Sequence, residues 1–178
     1  MVNLQSKQTG VMVCSYQSDI TYPGNKHFDC GHPVFNAFVR NSLKKSVRDG
    51  NCAAKAVIDA QTGELFGVCT FSAYWLERGK LAGVVSGSLP LEVGVVRLIM
   101  LGVATKEQNK GYGQDLLLAF FEQIKVIHNA LPIKGVYLDA DPAAINFYAR
   151  LGFAQLDAPP NAFGAVPMFL GIQHILAA

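Results

Sequence analysis

An apolar run, Val95 to Val103, leads into QNKGYGQ, Gln108 to Gln114, and then into an amphipathic stretch that ends near His128. A short second strand, GVYLD, follows at Gly135 to Asp139. A strand that turns into a helix and then into another strand of the same sheet needs a crossover, and crossovers join parallel strands. This central β-α-β unit is the one place in the chain that requires a parallel pair, so it fixes the heart of any sheet built around it. The turn also reads Q-x-x-G-x-G. Gly111 and Gly113 let backbone approach a ligand closely, and a helix start offers unpaired N–H groups with a partial positive charge, which suits a pyrophosphate. An ordinary strand-to-helix loop carries the same glycines.

Around this unit the hydrophobic pattern supplies further elements. Gly10 to Tyr16 reads as a first short strand. Pro33 stands at a first helical position, and Val34 to Val47 places apolar residues at 35, 38, 39, 43 and 47, one face of a single helix. Cys52 to Ala60 and Glu64 to Trp75 read as strands joined through Gln61-Thr62-Gly63, and Leu91 to Val103 as another. Leu76 to Pro90 is a long glycine- and serine-containing loop. After the glycine turn, Leu117, Phe120, Phe121, Ile124 and Ile127 form a core-facing stripe. Pro142 to Leu151 is a short helix, and one or two strands fill the remainder through Phe163 to Ile172. The order is roughly β-α-β-β-β-α-β-α-β, an α/β (α+β) mixed sheet with helices on both faces.

With 178 residues, 51% apolar and only 16% charged, the chain suits one compact domain, 1–178. A net charge of +2 provides no global field for a polyanion, so such a partner has to meet a local basic patch. Arg40, Lys44, Lys45 and Arg48 make one, with no acid until Asp49. It reads either as a solvated helix face or as a docking site for an anionic partner. The cysteines at 14, 30, 52 and 69 show no metal-ligand spacing and read as free thiols, with no metal expected. With no apolar leader and no apolar run of membrane-spanning length, the expected location is the cytoplasm, with no membrane partner.

A companion to the glycine turn lies further on. INFYARLGF, Ile145 to Phe153, sets an aromatic hydroxyl on a short helix that stops at a glycine before a strand. The two elements together resemble the GNAT superfamily of acyl-coenzyme A-dependent N-acetyltransferases. Gln108, Gly111 and Gly113 match its R/Q-x-x-G-x-G/A motif; Asn146, Phe147, Tyr148, Gly152 and Phe153 match its N-F-Y-x-x-x-G-F element. Further upstream, HFDCGHPVFNAFVRNSLKKS, His27 to Ser46, is similar to the opening of the GNAT toxins of type II toxin–antitoxin pairs, through Phe28, Cys30, Gly31, Asn36, Phe38 and Arg40. FGVCTFS and Leu89-Pro90 match that group as well. Its strand-four arginine falls at Met100, with Arg97 three residues upstream.

The resemblance implies a GNAT-like, mostly antiparallel sheet and acetyl-CoA as cosubstrate. Its pyrophosphate would meet the backbone of Gln108, Asn109, Lys110, Gly111, Tyr112, Gly113 and Gln114. Its pantetheine would pair with Leu101, Gly102 and Val103, an N–H near Val103 polarising the thioester, and Asn146 would hold the pantetheine or adjacent backbone. Tyr148 would protonate the leaving thiolate, a suitable task for a phenol of pKa near 10; taken alone it reads equally as a core tyrosine. Asp139 and Asp141 are candidate bases or merely the start of the next helix. The expected acceptor is the α-amine of an aminoacyl-tRNA, with RNA phosphates on Arg40, Lys44, Lys45, Arg48 and Arg97, joined by Arg78 and Lys80. A small DNA-binding antitoxin is the expected protein partner, and a homodimer is compatible. The competing readings are a GNAT acting on a small amine or a protein N-terminus, and a non-catalytic CoA-binding module.

Overall fold

The computed structural model describes residues 10–178. Among these residues seven strands form a mixed, mostly antiparallel sheet in the order β1-β2-β3-β4-β5-β7-β6. They are β1 (Val11–Ser15), β2 (Ala53–Asp59), β3 (Leu65–Glu77), β4 (Glu92–Val103), β5 (Gly135–Ala140), β6 (Ala154–Gln155) and β7 (Val166–Gly171). The helices are α1 (Pro33–Asn41), α2 (Leu43–Arg48), α3 (Tyr112–Ala130), α4 (Ile145–Arg150) and α5 (Ile172–Ala177). As the crossover requires, β4 and β5 run parallel, whereas β5–β7, β6–β7 and β1–β2 are antiparallel.

The chain divides into two compact units. One holds the described residues up to Cys69 together with Met100–Ala119; the other holds Thr70–Ile99 with Phe120–Ala178. In the first unit, Phe28, Val39 and Leu43 pack with Ala56, Ile58, Leu65 and Val68 into one apolar cluster. In the second, Leu76, Leu81, Val93, Val95, Tyr137, Leu156 and Phe169 form another. The first seven residues of β3, LFGVCTF, are buried without alternation, as in a strand covered on both faces. Leu117, Phe120 and Ile124 of α3 are buried as the apolar stripe predicts, and Leu116 joins them.

Two local readings change. The single helix expected from Val34 to Val47 is two, because Ser42 leaves helical geometry (φ −124°, ψ −28°) between α1 and α2. Its N–H still bonds the Phe38 carbonyl and its own carbonyl accepts from Ser46, so these two bonds hold across the bend, and Leu43 just beyond it is fully buried. At the other end, the strand expected to reach Ile172 stops at Gly171, and α5 follows. Ile172 and Ile175, three apart and both buried, give α5 its inner face. Among the described residues no helix is long and apolar enough to cross a membrane.

Candidate functional site

β4 runs into a single 3-10 turn, Thr105–Glu107, and α3 starts at Tyr112. Between them Asn109 adopts φ 62°, the one positive φ of a non-glycine among the described residues, and Gly111 adopts φ 90°. Asparagine and glycine tolerate the left-handed region best. The consequence lies in the hydrogen bonds. Gln108 N–H donates back to Thr105, and the N–H groups of Gln114 and Asp115 both donate to the Gly111 carbonyl. Among the described residues, those of Asn109, Lys110, Gly111, Tyr112 and Gly113 meet no carbonyl. Five successive donors are therefore open where the dipole of a 19-residue helix begins. A Cβ at Gly111 would meet nothing within 4 Å, so the backbone is accessible from that side. This donor set fits a pyrophosphate.

The side chains of this turn behave differently from its backbone. Lys110 is paired with Glu107 at 2.7 Å. The Tyr112 ring is buried and stacked on Phe66, 6.0 Å between centroids, so this residue offers the turn only its N–H. Gln108 donates its amide hydrogens to Val103 O (2.9 Å) and Cys30 O (3.1 Å). Leu101, Gly102 and Val103, the end of β4, lie in the same unit and are half-buried.

The N-terminal motif folds into a clasp in that unit. Asn36 on α1 accepts from Cys30 N–H (2.8 Å) and donates to Asp29 Oδ1 (2.7 Å), which also accepts from Gly31 N–H (2.9 Å). The Gly31 N–H bond, then the Asn36 bond, hold the Asp29 carboxyl below the usual carboxylate range. A lowered carboxylate stabilises the fold above its ordinary pKa and releases that contribution as pH falls through its own lowered value. Burial pushes the Cys30 thiol up, so it stays protonated near neutrality.

The basic face is less lopsided than the sequence suggests. Arg40 Nε donates to Phe28 O at 2.7 Å, and Lys44 reaches Ile20 O at 3.3 Å. Lys45 and Arg48 both pair with Asp49, at 2.6 and 3.2 Å.

The second unit carries Arg97, Asn146 and Tyr148. Here the β4–β5 ladder comprises Val96↔Val136 and Arg97↔Tyr137, and Ile99 beyond it is exposed. Arg97 donates to Asp139 at 2.8 Å, Tyr137 donates its hydroxyl to the other Asp139 oxygen at 2.7 Å, and Tyr74 stacks on Tyr137 while lying 5.3 Å beneath the guanidinium. Burial and the Asp139 carboxylate raise the Tyr137 phenol. Asp139 is thus already engaged by two donors, and Asp141 caps the next turn by accepting from Ala143 N–H. Sequence reasoning set Arg97 and Asp139 apart in different roles; the 42-residue separation hides the pair. Tyr148 is 9% exposed and meets Phe147 and Phe153 edge-on, at 5.2 and 5.5 Å. Gly152, at φ 92°, ends its helix in the left-handed conformation glycine permits. Asn146 is exposed. Among the described residues no cluster of three His, Cys, Asp or Glu suits a metal ion.

Residues 60–155 match the acetyltransferase (GNAT) domain family. A solved bacterial toxin is 72% identical, over 94% of this chain and 93% of its own, with a TM-score of 0.92. The chain belongs to the GNAT acetyltransferase family. This GNAT also shares its fold with a Tyr-to-Phe mutant of KacT (23% identity, 95% of this chain and 99% of that one, TM-score 0.83). AtaT complexed with acetyl-methionyl-tRNAfMet is a further match (20% identity, 94% and 98%, TM-score 0.81). No curated protein sequence matches the chain. The chain is thus an N-acetyltransferase, of a family whose acetyl donor is acetyl-CoA.

Proposed function

We propose that the protein is a toxin that acetylates the α-amine of aminoacyl-tRNA and so stops translation, with a small DNA-binding antitoxin as its partner. The observation that carries the cofactor half of this reading is the run of five open N–H groups from Asn109 to Gly113 at the start of α3. They receive the pyrophosphate, with the backbone of Leu101 to Val103 as the strand edge for the pantetheine. The acceptor half draws on the 72% identity to a bacterial toxin and on the fold shared with AtaT, solved with an acetylated initiator tRNA. The partner half draws on a Tyr-to-Phe mutant of AtaT solved bound to the C-terminus of the antitoxin AtaR, and on the KacTA–DNA complex.

Acetyl-CoA supplies the thioester. The acceptor nitrogen forms a bond to the carbonyl carbon as the carbon–sulfur bond breaks, and the nitrogen then gives up a proton. An N–H near Val103 stabilises the charge on the carbonyl oxygen, worth a few kcal/mol when well aimed. Tyr148 gives its phenolic proton to the departing thiolate. An α-amine, titrating near 8, is neutral in roughly a tenth to a quarter of molecules at cellular pH, against roughly a thousandth for a lysine, so no dedicated base is needed. That agrees with Asp139 and Asp141 both being engaged elsewhere.

Tyr148→Phe keeps the ring that Phe147 and Phe153 grip and removes the hydroxyl that carries the proton. It is expected to retain fold and acetyl-CoA affinity while lowering single-turnover transfer to charged tRNA by about 10² to 10⁴. Transfer at the wild-type rate would take Tyr148 out of the mechanism. Wild type that acetylates free amines but never charged tRNA would leave the acetyltransferase and remove the toxin.

A further inference from the structure

Three consecutive carbonyls, those of Phe28, Asp29 and Cys30, are held by three different residues from two segments. Arg40 Nε of α1 donates to the first at 2.7 Å, Thr105 N–H to the second at 2.8 Å, and Gln108 Nε2 to the third at 3.1 Å. Asn36, also on α1, grips the Cys30 N–H and the Asp29 carboxylate. Residues 28–30 are thus a clasp with α1 on one side and the Thr105–Gln108 turn on the other. An amide NH2 has two hydrogens, and Gln108 commits both, the second to Val103 O at 2.9 Å. Carbonyls only accept, so the orientation of the carboxamide is fixed. The open donors start at the very next residue.

We propose that Gln108 is a positioning residue that couples the acetyl-CoA turn to α1. Its carboxamide is occupied by protein carbonyls, so its contribution reaches the cosubstrate through the backbone and not by side-chain contact. Pyrophosphate on the N–H groups of residues 109–113 steadies the turn, Gln108 steadies residues 28–30, and Asn36 and Arg40 pass that order to α1. α1, which carries Arg40 and leads into the cations of α2, is thereby set when acetyl-CoA is in place. Because coupling is reciprocal, anything that docks on α1 tightens acetyl-CoA in turn. The inference rests on acetyl-CoA being held at residues 108–114.

Hydrogen exchange on the full chain, with and without saturating CoA, tests it. In wild type CoA is expected to slow exchange at residues 109–115 and also, by about tenfold, at residues 29–41. Gln108→Glu keeps the size of the side chain but replaces the NH2 that donates both bonds with an acceptor oxygen that faces the two carbonyls. At saturating CoA it should keep protection at 109–115 and lose it at 29–41. Arg40→Met opens the clasp from the α1 side without touching the turn, and should separate the two regions in the same way; it stands in should the Glu variant not bind. Protection confined to 109–115 in wild type, or kept at 29–41 in the variants, overturns the coupling. No protection at 109–115 in wild type overturns instead the site on which it rests.

Discussion

Two exposed turns of this molecule use glycine in the same conformation and end in opposite states. Gly111, between β4 and α3, has φ 90°, and Gly164, between β6 and β7, has φ 79°; a Cβ at either would meet nothing within 4 Å. In the second turn Asn161 Oδ1 accepts from Phe163 N–H (2.9 Å) and Ala165 N–H (3.1 Å), while Gly164 N–H donates to the Asn161 carbonyl. That turn has satisfied its own donors and goes on into a strand. The first leaves five donors open and goes on into a helix. Glycine alone therefore does not make an anion site. What makes one is a set of N–H groups that the fold leaves open at a helix start.

The strongest way to break this comparison is to place a carboxylate in each turn. Gly111→Asp adds negative charge beside the open donors and a side chain at a left-handed residue, and should lower acetyl-CoA affinity by about a hundredfold or more. Gly164→Asp carries the same backbone strain and should leave that affinity unchanged. Calorimetric titration of both variants, with circular dichroism to confirm the fold, checks the pair. Equal acetyl-CoA binding by the two would place the cosubstrate away from residues 108–114.

A second experiment asks whether open donors are enough. Asn161→Ala removes the acceptor that satisfies Phe163 and Ala165, and on this exposed loop should cost about 1 kcal/mol, read by urea denaturation. It should gain no affinity for pyrophosphate, since the next residues enter β7 and bring no helix dipole. Pyrophosphate binding that the variant acquires and wild type lacks would show that the helix is dispensable.

The contrast between the turns also marks what a sequence reveals. Strand, turn and helix around Gln108 to Gln114 are local patterns, so their order and the parallel crossover were legible. So was the short Tyr148 helix, whose stop at Gly152 is a left-handed residue in plain view. The motif marks Gln108 as a cofactor residue, yet its side chain bonds a carbonyl 78 residues away, which no local periodicity encodes. The Arg97–Asp139 pair and the acid partner shared by Lys45 and Arg48 escaped for related reasons. A cation looks free in a sequence until the fold or the next helix turn brings its counter-ion. The break at Ser42 was hidden because α1 and α2 keep a continuous apolar stripe across it.

The smallest expected effect separates the two glycines of the motif. Gly111 sits where φ 90° strains any other residue, whereas Gly113 has no positive φ and lies in the first turn of α3. A Cβ on Gly113 would come 3.9 Å from Val103 Cγ2, an ordinary contact. Alanine there removes freedom from the unfolded chain and improves helix propensity, by up to about 1 kcal/mol in a helix interior and less in a first turn. Gly113→Ala should therefore leave stability unchanged or raise it by about 0.5 kcal/mol, and acetyl-CoA affinity should stay within about threefold of wild type, because the N–H offered to the proposed phosphate survives. Urea denaturation and calorimetry on the one variant read both quantities. Stability kept but affinity lost as in Gly111→Asp would mean that phosphate lies against the α-carbon of Gly113 itself, and that the second glycine is there for the ligand and not for the backbone.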